Sequence, residues 1–219
     1  MADGVYAIAL TLLAVDLILP QATADLHGDA LLRSLLEDWP KLLAFLTSFT
    51  VIANFWVGHL VLFQHVRRFD GGLMWLALLQ LLCIAFIPFP TSVIGEHVGD
   101  PVAQQFYFGT ILVTGLVMVA LWRYMNSRRP LVHPDLSPQY IRRTDRISLA
   151  LPATFLVFMV LVAVGIGKVI NPLLLSYIGA LLFIALGILE WRNSEPADKI
   201  EPDDAPADKH TEDRDRTDE

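Results

Sequence analysis

Runs of about twenty apolar residues, broken by short charged or proline-containing joints, constrain this chain more than any other feature. The hydrocarbon core of a bilayer asks for about 20 consecutive apolar residues per helix, with a range of about 17 to 25. Six stretches meet or approach that length, at residues 4–20, 42–63, 73–95, 103–125, 147–167 and 172–190. Lipid offers the backbone no hydrogen-bond partner, so stretches of this kind are helical. The sequence therefore predicts an all-α polytopic membrane protein with six transmembrane helices. The first stretch is the shortest and holds Asp3 and Asp16. A secretory signal peptide is the competing reading for it, but such a peptide opens on basic residues and this one opens Met1-Ala2-Asp3.

Composition agrees. Hydrophobic residues make up 54% of the chain and charged ones 18%, which excludes an ordinary secreted or cytosolic globule. The net charge of −7 is confined to residues 193–219, where 11 acidic residues face 4 basic ones; elsewhere 12 of each sign cancel. No basic domain is left to neutralise phosphates, so nucleic acid is not an expected partner. With Ile200 as its only large aliphatic residue, 193–219 cannot bury enough surface to offset chain entropy. It reads as a disordered acidic cytoplasmic tail following a transmembrane domain of residues 1–192. Cys83, the single cysteine, excludes an intrachain disulfide and reads as a packing residue.

Arginine placement sets the orientation, because basic flanks stay on the cytoplasmic side. Arg67 and Arg68 lie between the second and third stretches, Arg123, Arg128, Arg129, Arg142, Arg143 and Arg146 around the junction of the fourth and fifth, and Arg192 after the sixth. The alternate connections, 21–41, 96–102 and 168–171, are acidic, free of arginine and lysine, or very short. Both termini are then cytoplasmic. Within the first external connection the leucines of Ala30-Leu31-Leu32-Arg33-Ser34-Leu35-Leu36-Glu37-Asp38-Trp39 recur at helical spacing, which predicts a short interfacial helix ending on a tryptophan.

Enzyme signatures are missing from the sequence. It has no His-Glu-x-x-His, no Gly-x-Ser-x-Gly, no Gly-x-x-x-x-Gly-Lys and no carboxylate pair at metal-binding spacing along one span, so no enzymatic activity and no cofactor is expected. Polar groups at membrane depth are the better pointers, since insertion of a central charge costs about 2.5 to 3.5 kcal/mol. They are Asp3, Thr11 and Asp16 on the first stretch, Asn54, Trp56 and His59 on the second, Gln80 on the third, and Thr110 and Thr114 on the fourth. Gly109 and Gly115 read as close-packing positions, and Pro88 and Pro90 predict a bend in the third span. At about 100° per residue, Gly4, Ile8, Leu12, Val15 and Leu19 fall within about 40° of one line, with Thr11 about 60° from Ile8. Such a stripe is a helix-packing face or, if several copies face one another, a set of aliphatic rings able to gate a pore by excluding water.

Asp3-Gly4-Val5-Tyr6-Ala7-Ile8-Ala9-Leu10-Thr11-Leu12-Leu13-Ala14-Val15-Asp16 resembles the first helix of the transmembrane protein 175 potassium channels. Their hallmark there is Arg-x-x-x-Phe-Ser-Asp, followed by Val-Phe-Ala-Ile, Thr-Leu-Leu and a later Asp. Phe55-Trp56-Val57-Gly58-His59 is similar to the family's Trp-x-x-His-His, and Pro88-Phe89-Pro90-Thr91 to its Pro-Phe-Pro-Thr. The resemblance to the bacterial, single-repeat members implies a potassium-selective, leak-type channel in a multi-pass cell membrane, a bacterial inner membrane. It implies a homotetramer whose four first helices line the pore. Carried over by position, the constriction falls on Ile8, Leu12 and Val15, potassium selectivity on Thr11, with the ion passing transiently beside it, and the polar network supporting the pore helix on Asp3, Trp56 and His59. Two departures stand out: the sequence opens at Met1-Ala2-Asp3, without residues matching the family's Arg and Phe-Ser, and the second His of Trp-x-x-His-His is Leu60. A proton-coupled secondary transporter with Asp16, His59 and Gln80 as a buried relay is the alternative from another class.

Overall fold

The computed structural model describes residues 1–15, 17, 27–64, 66, 68, 70–97, 99–127, 144–145, 148–165, 181 and 185. The chain divides into two compact units, Met1–Ala185 and Leu186–Glu219, and the described residues all belong to the first. They form α-helices and no β-strand: α1 (Ala2–Val15), α2 (Asp29–Glu37), α3 (Trp39–Gln64), α4 (Gly71–Phe86), α5 (Pro88–Glu96), α6 (Pro101–Ser127) and α7 (Ala150–Ala163). Among the described residues, three helical segments are long and apolar enough to cross a membrane: Trp39–Gln64, Gly71–Glu96 and Pro101–Ser127. The helices Ala2–Val15 and Ala150–Ala163 are apolar and shorter. The first overlaps the first expected span and the second lies within the fifth. The sixth, apart from Leu181 and Ala185, lies outside the described residues, as do Asp16, the tail and most of the orienting arginines.

Local chemistry explains where the helices begin. Asp70 precedes α4 and its Oδ1 accepts the Leu73 N–H at 2.8 Å, while Asp100 accepts the Val102 and Ala103 N–H groups at 2.7 and 3.1 Å ahead of α6. Each carboxylate satisfies amides that the helix itself leaves unpaired. Gly28, at φ 58°, makes the left-handed turn that admits α2. Leu32, Leu35 and Leu36 remain exposed on that helix and Trp39 follows them, as an interfacial helix requires. Between α4 and α5 the axis passes through Ile87, where Pro88 and Pro90 contribute no N–H and the Ile87 amide turns to the Ile84 carbonyl at 3.2 Å. The third span, where a bend was expected, is interrupted at this residue.

The core lies between α1, α3, α4, α5 and α6, with α7 packed against α6. Buried hydroxyls link three of these helices: Ser48 on α3 bonds Tyr107 of α6 at 2.9 Å and Thr91 of α5 at 2.8 Å. On the far side of α6, Phe108, Phe155 and Phe158 meet edge-on or tilted, with ring centres 5.6 to 6.0 Å apart. Gly115 lets α7 approach there; a Cβ on it would lie 3.3 Å from Leu151 and Pro152. At the other end of the bundle the Tyr124 hydroxyl donates to Asp70 Oδ2 at 2.8 Å and crosses directly over Gly72, where a side chain would collide with it.

Candidate functional site

Helix α1 has two unlike faces. Tyr6, Ala9 and Leu13 are buried against α3, α4 and α5, with Ala2, Val5 and Leu10 partly so. On the other side Gly4, Ala7, Ile8, Thr11, Leu12 and Val15 are exposed, Ile8 at 60%, Leu12 at 46% and Val15 at 53%. The stripe expected from spacing alone is thus the face that the rest of the chain leaves uncovered. It is apolar except for Thr11. The Thr11 hydroxyl donates to the Ile8 carbonyl at 2.9 Å. With its proton held by the backbone, the oxygen keeps its lone pairs for an external cation.

The orientation of α1 is fixed from behind. At its first turn, Trp56 Nε1 of α3 donates to Asp3 Oδ1 at 3.1 Å, so two of the three expected network residues are joined directly. An acidic residue is also favoured at this position by the positive end of the helix dipole. His59, the third, is buried beside other groups: its ring centre is 5.6 Å from that of Tyr6 and 4.3 Å from that of Phe63, and its Nδ1 has no hydrogen-bond partner. Of the residues weighed for a relay, His59 and Gln80 are buried, on α3 and α4, and Asp16 lies outside the described residues. Among the described residues no cluster of His, Cys, Asp or Glu is arranged to hold a metal ion.

Tyr6 is the residue that sequence reasoning passed over. Its hydroxyl donates to the Phe55 carbonyl of α3 at a long 3.4 Å, and its side chain is 1% exposed. The signal was present: Tyr6 lies about 160° from Ile8 around the helix, and a phenol at membrane depth needs a partner for its O–H.

Three comparisons bear on this arrangement. Residues 1–88, which include α1 and the Asp3–Trp56 bond, match the family model described as the endosomal/lysosomal potassium channel TMEM175. A potassium channel of Chamaesiphon minutus is 39% identical over 125 residues, 56% of this chain and 61% of that relative, so the match spans less than two thirds of its length. A potassium channel of Streptomyces collinus is 35% identical over 153 residues, 68% of this chain and 72% of the relative. Among solved structures, the crystal structure of a lysosomal potassium-selective channel TMEM175 homologue from Chamaesiphon minutus superposes with a TM-score of 0.71 at 29% identity, covering 84% of this chain and 93% of that one. With the motif-bearing helices packed as described and this degree of likeness, the chain belongs to the TMEM175 family of channels.

Proposed function

We propose that this chain conducts potassium ions passively, as a leak-type channel, through a pore formed where four copies bring their α1 helices together. Residues 1–192 make the six-helix channel domain, with both termini cytoplasmic, in a cell membrane, and 193–219 form the acidic tail. The observation that carries this reading is the uncovered stripe of α1. A helix facing only lipid needs no fixed rotation, whereas α1 is held by a polar bond at Asp3 and presents Ile8, Leu12, Val15 and Thr11 on the side away from that support. The relatives named potassium channels favour the same reading.

Chemically, three stacked aliphatic rings, from Ile8, Leu12 and Val15, repel water at narrow diameter, so the pore conducts when the rings are wide enough to wet. Thr11, between Ile8 and Leu12, supplies four hydroxyl oxygens where a potassium ion partly exchanges its hydration shell. This type of oxygen ligand, unlike a charged carboxylate, binds weakly enough to release the ion. Acidic residues in the external connection, Asp29 among them, raise the local cation concentration.

Purified protein in liposomes loaded with potassium tests the proposal, with valinomycin as the positive control and sodium as the competing ion. Selective, non-saturating potassium efflux is expected. Saturable, pH-coupled uptake by a monomer or dimer would overturn the channel reading in favour of a transporter.

A further inference from the structure

Gln80 is a buried polar side chain to which the pore reading gives no task. Gln80 sits midway along α4 at 0% exposure, and neither Oε1 nor Nε2 closes a hydrogen bond of good geometry. An enclosed amide with both ends unsatisfied is costly and is rare in folded proteins unless a specific partner or role accounts for it. Across the α1–α4 contact the Tyr6 hydroxyl is near enough to interact with this amide. That hydroxyl in turn makes only the long 3.4 Å bond to Phe55, and the Tyr6 ring lies against His59, whose Nδ1 is also unpartnered. Polar groups of α3 and α4 therefore both approach Tyr6, on the side of α1 opposite the exposed stripe.

Geometry gives this approach a consequence. The Asp3–Trp56 bond holds α1 only at its first turn. A second fixed point further along is needed to set the rotation of the helix where Ile8 and Thr11 stand. Tyr6 is the polar residue of the buried face of α1 at that height. An amide and a phenol can each donate and accept, so a small closure of the gap gives a bond in either direction.

We propose that Gln80 is a positioning residue for the pore helix: acting through the Tyr6 hydroxyl, it fixes the rotation of α1 and so keeps Thr11 and Ile8 aimed at the ion path. The inference rests on the pore reading of α1. Neither side chain touches the ion in this scheme.

The test is the potassium-to-sodium permeability ratio, from reversal potentials in planar bilayers, for Tyr6→Phe, Gln80→Leu, the double variant and Ile8→Asn, each checked for an unchanged oligomer peak and melting temperature. Each single variant is expected to lower the ratio by about threefold or more, the scale of one net hydrogen bond. The double variant is expected to fall no further than the singles, because both remove the same contact. Ratios at the wild-type value in Tyr6→Phe and Gln80→Leu, with Ile8→Asn altering conduction, overturn the positioning role and leave the pore reading standing. Strictly additive losses overturn it as well. Conduction untouched by Ile8→Asn brings down the pore reading, and the positioning role with it. Should Gln80→Leu fail to assemble, Gln80→Met, which keeps the length of the side chain and removes the amide, takes its place, because Tyr6→Phe also removes the bond to Phe55: a lowered ratio in Gln80→Met supports the proposal and an unchanged one overturns it.

Discussion

At the scale of single residues, Ile8 and Thr11 carry the most distinct expectations. Replacing Ile8 with Asn puts an amide where an aliphatic ring is proposed, which lowers the dewetting barrier; larger potassium currents or weaker selectivity are expected in bilayer recordings. Thr11→Val keeps the shape and removes the hydroxyl, and reversal potentials should move toward indifference between potassium and sodium. Trp56→Phe removes the donor to Asp3 and leaves the carboxylate without that partner. A bond to a charged group is worth about 1.5 to 3 kcal/mol, so a measurable fall in the melting temperature of the solubilised protein is expected. The outward positions of α1 were legible in the sequence because the helical period alone separates them from Tyr6, Ala9 and Leu13. The Tyr6–Gln80 meeting was not legible. Periodicity orders the residues of one helix around its axis, but it does not say which face of α4 turns toward α1.

At the scale of elements, small residues set how closely the helices approach. Gly115 faces Leu151 and Pro152 at distances that leave a methyl group little room and a larger side chain none. Gly115→Leu should therefore part α6 from α7, costing about 1 to 3 kcal/mol by overpacking, read as a lowered melting temperature with a weakened Phe108–Phe155–Phe158 contact. Close packing at Gly115 was expected from the sequence, and so were the short helix α2 and an interruption of the third span near Pro88 and Pro90. Each follows from a local property that a short window contains: amphipathic spacing, a missing N–H, a missing Cβ. The Tyr107–Ser48–Thr91 hydroxyl contacts join residues up to 59 positions apart. Nothing local announces them, since an isolated serine on an apolar helix is equally content to bond its own backbone.

At the scale of the whole molecule, the account depends on assembly. A single copy leaves the α1 stripe uncovered, and a closed ring of identical copies is the arrangement that turns one stripe into a lined passage. The solubilised protein should therefore run as a tetramer when its mass is measured in detergent. Residues 193–219 bear the whole net charge but no large apolar surface, so removing them should leave potassium flux and selectivity intact; loss of flux would show that the tail takes part in gating. The family was legible from motifs in α1, α3 and the α4–α5 junction because those segments combine rare features, an intramembrane acid, a Trp and His one turn apart, and paired prolines.

The most direct test of the central claim is silver block of current in single-cysteine channels, with Cys83 replaced by Ala. Silver is a thiophilic monovalent cation that enters wherever a potassium-sized ion passes and binds thiolate. The account predicts that Ile8→Cys channels are blocked irreversibly while Ala9→Cys channels, with the thiol on the buried face, are not. Block at Ala9→Cys with Ile8→Cys unaffected would contradict it, and would place the ion path somewhere other than the exposed face of α1.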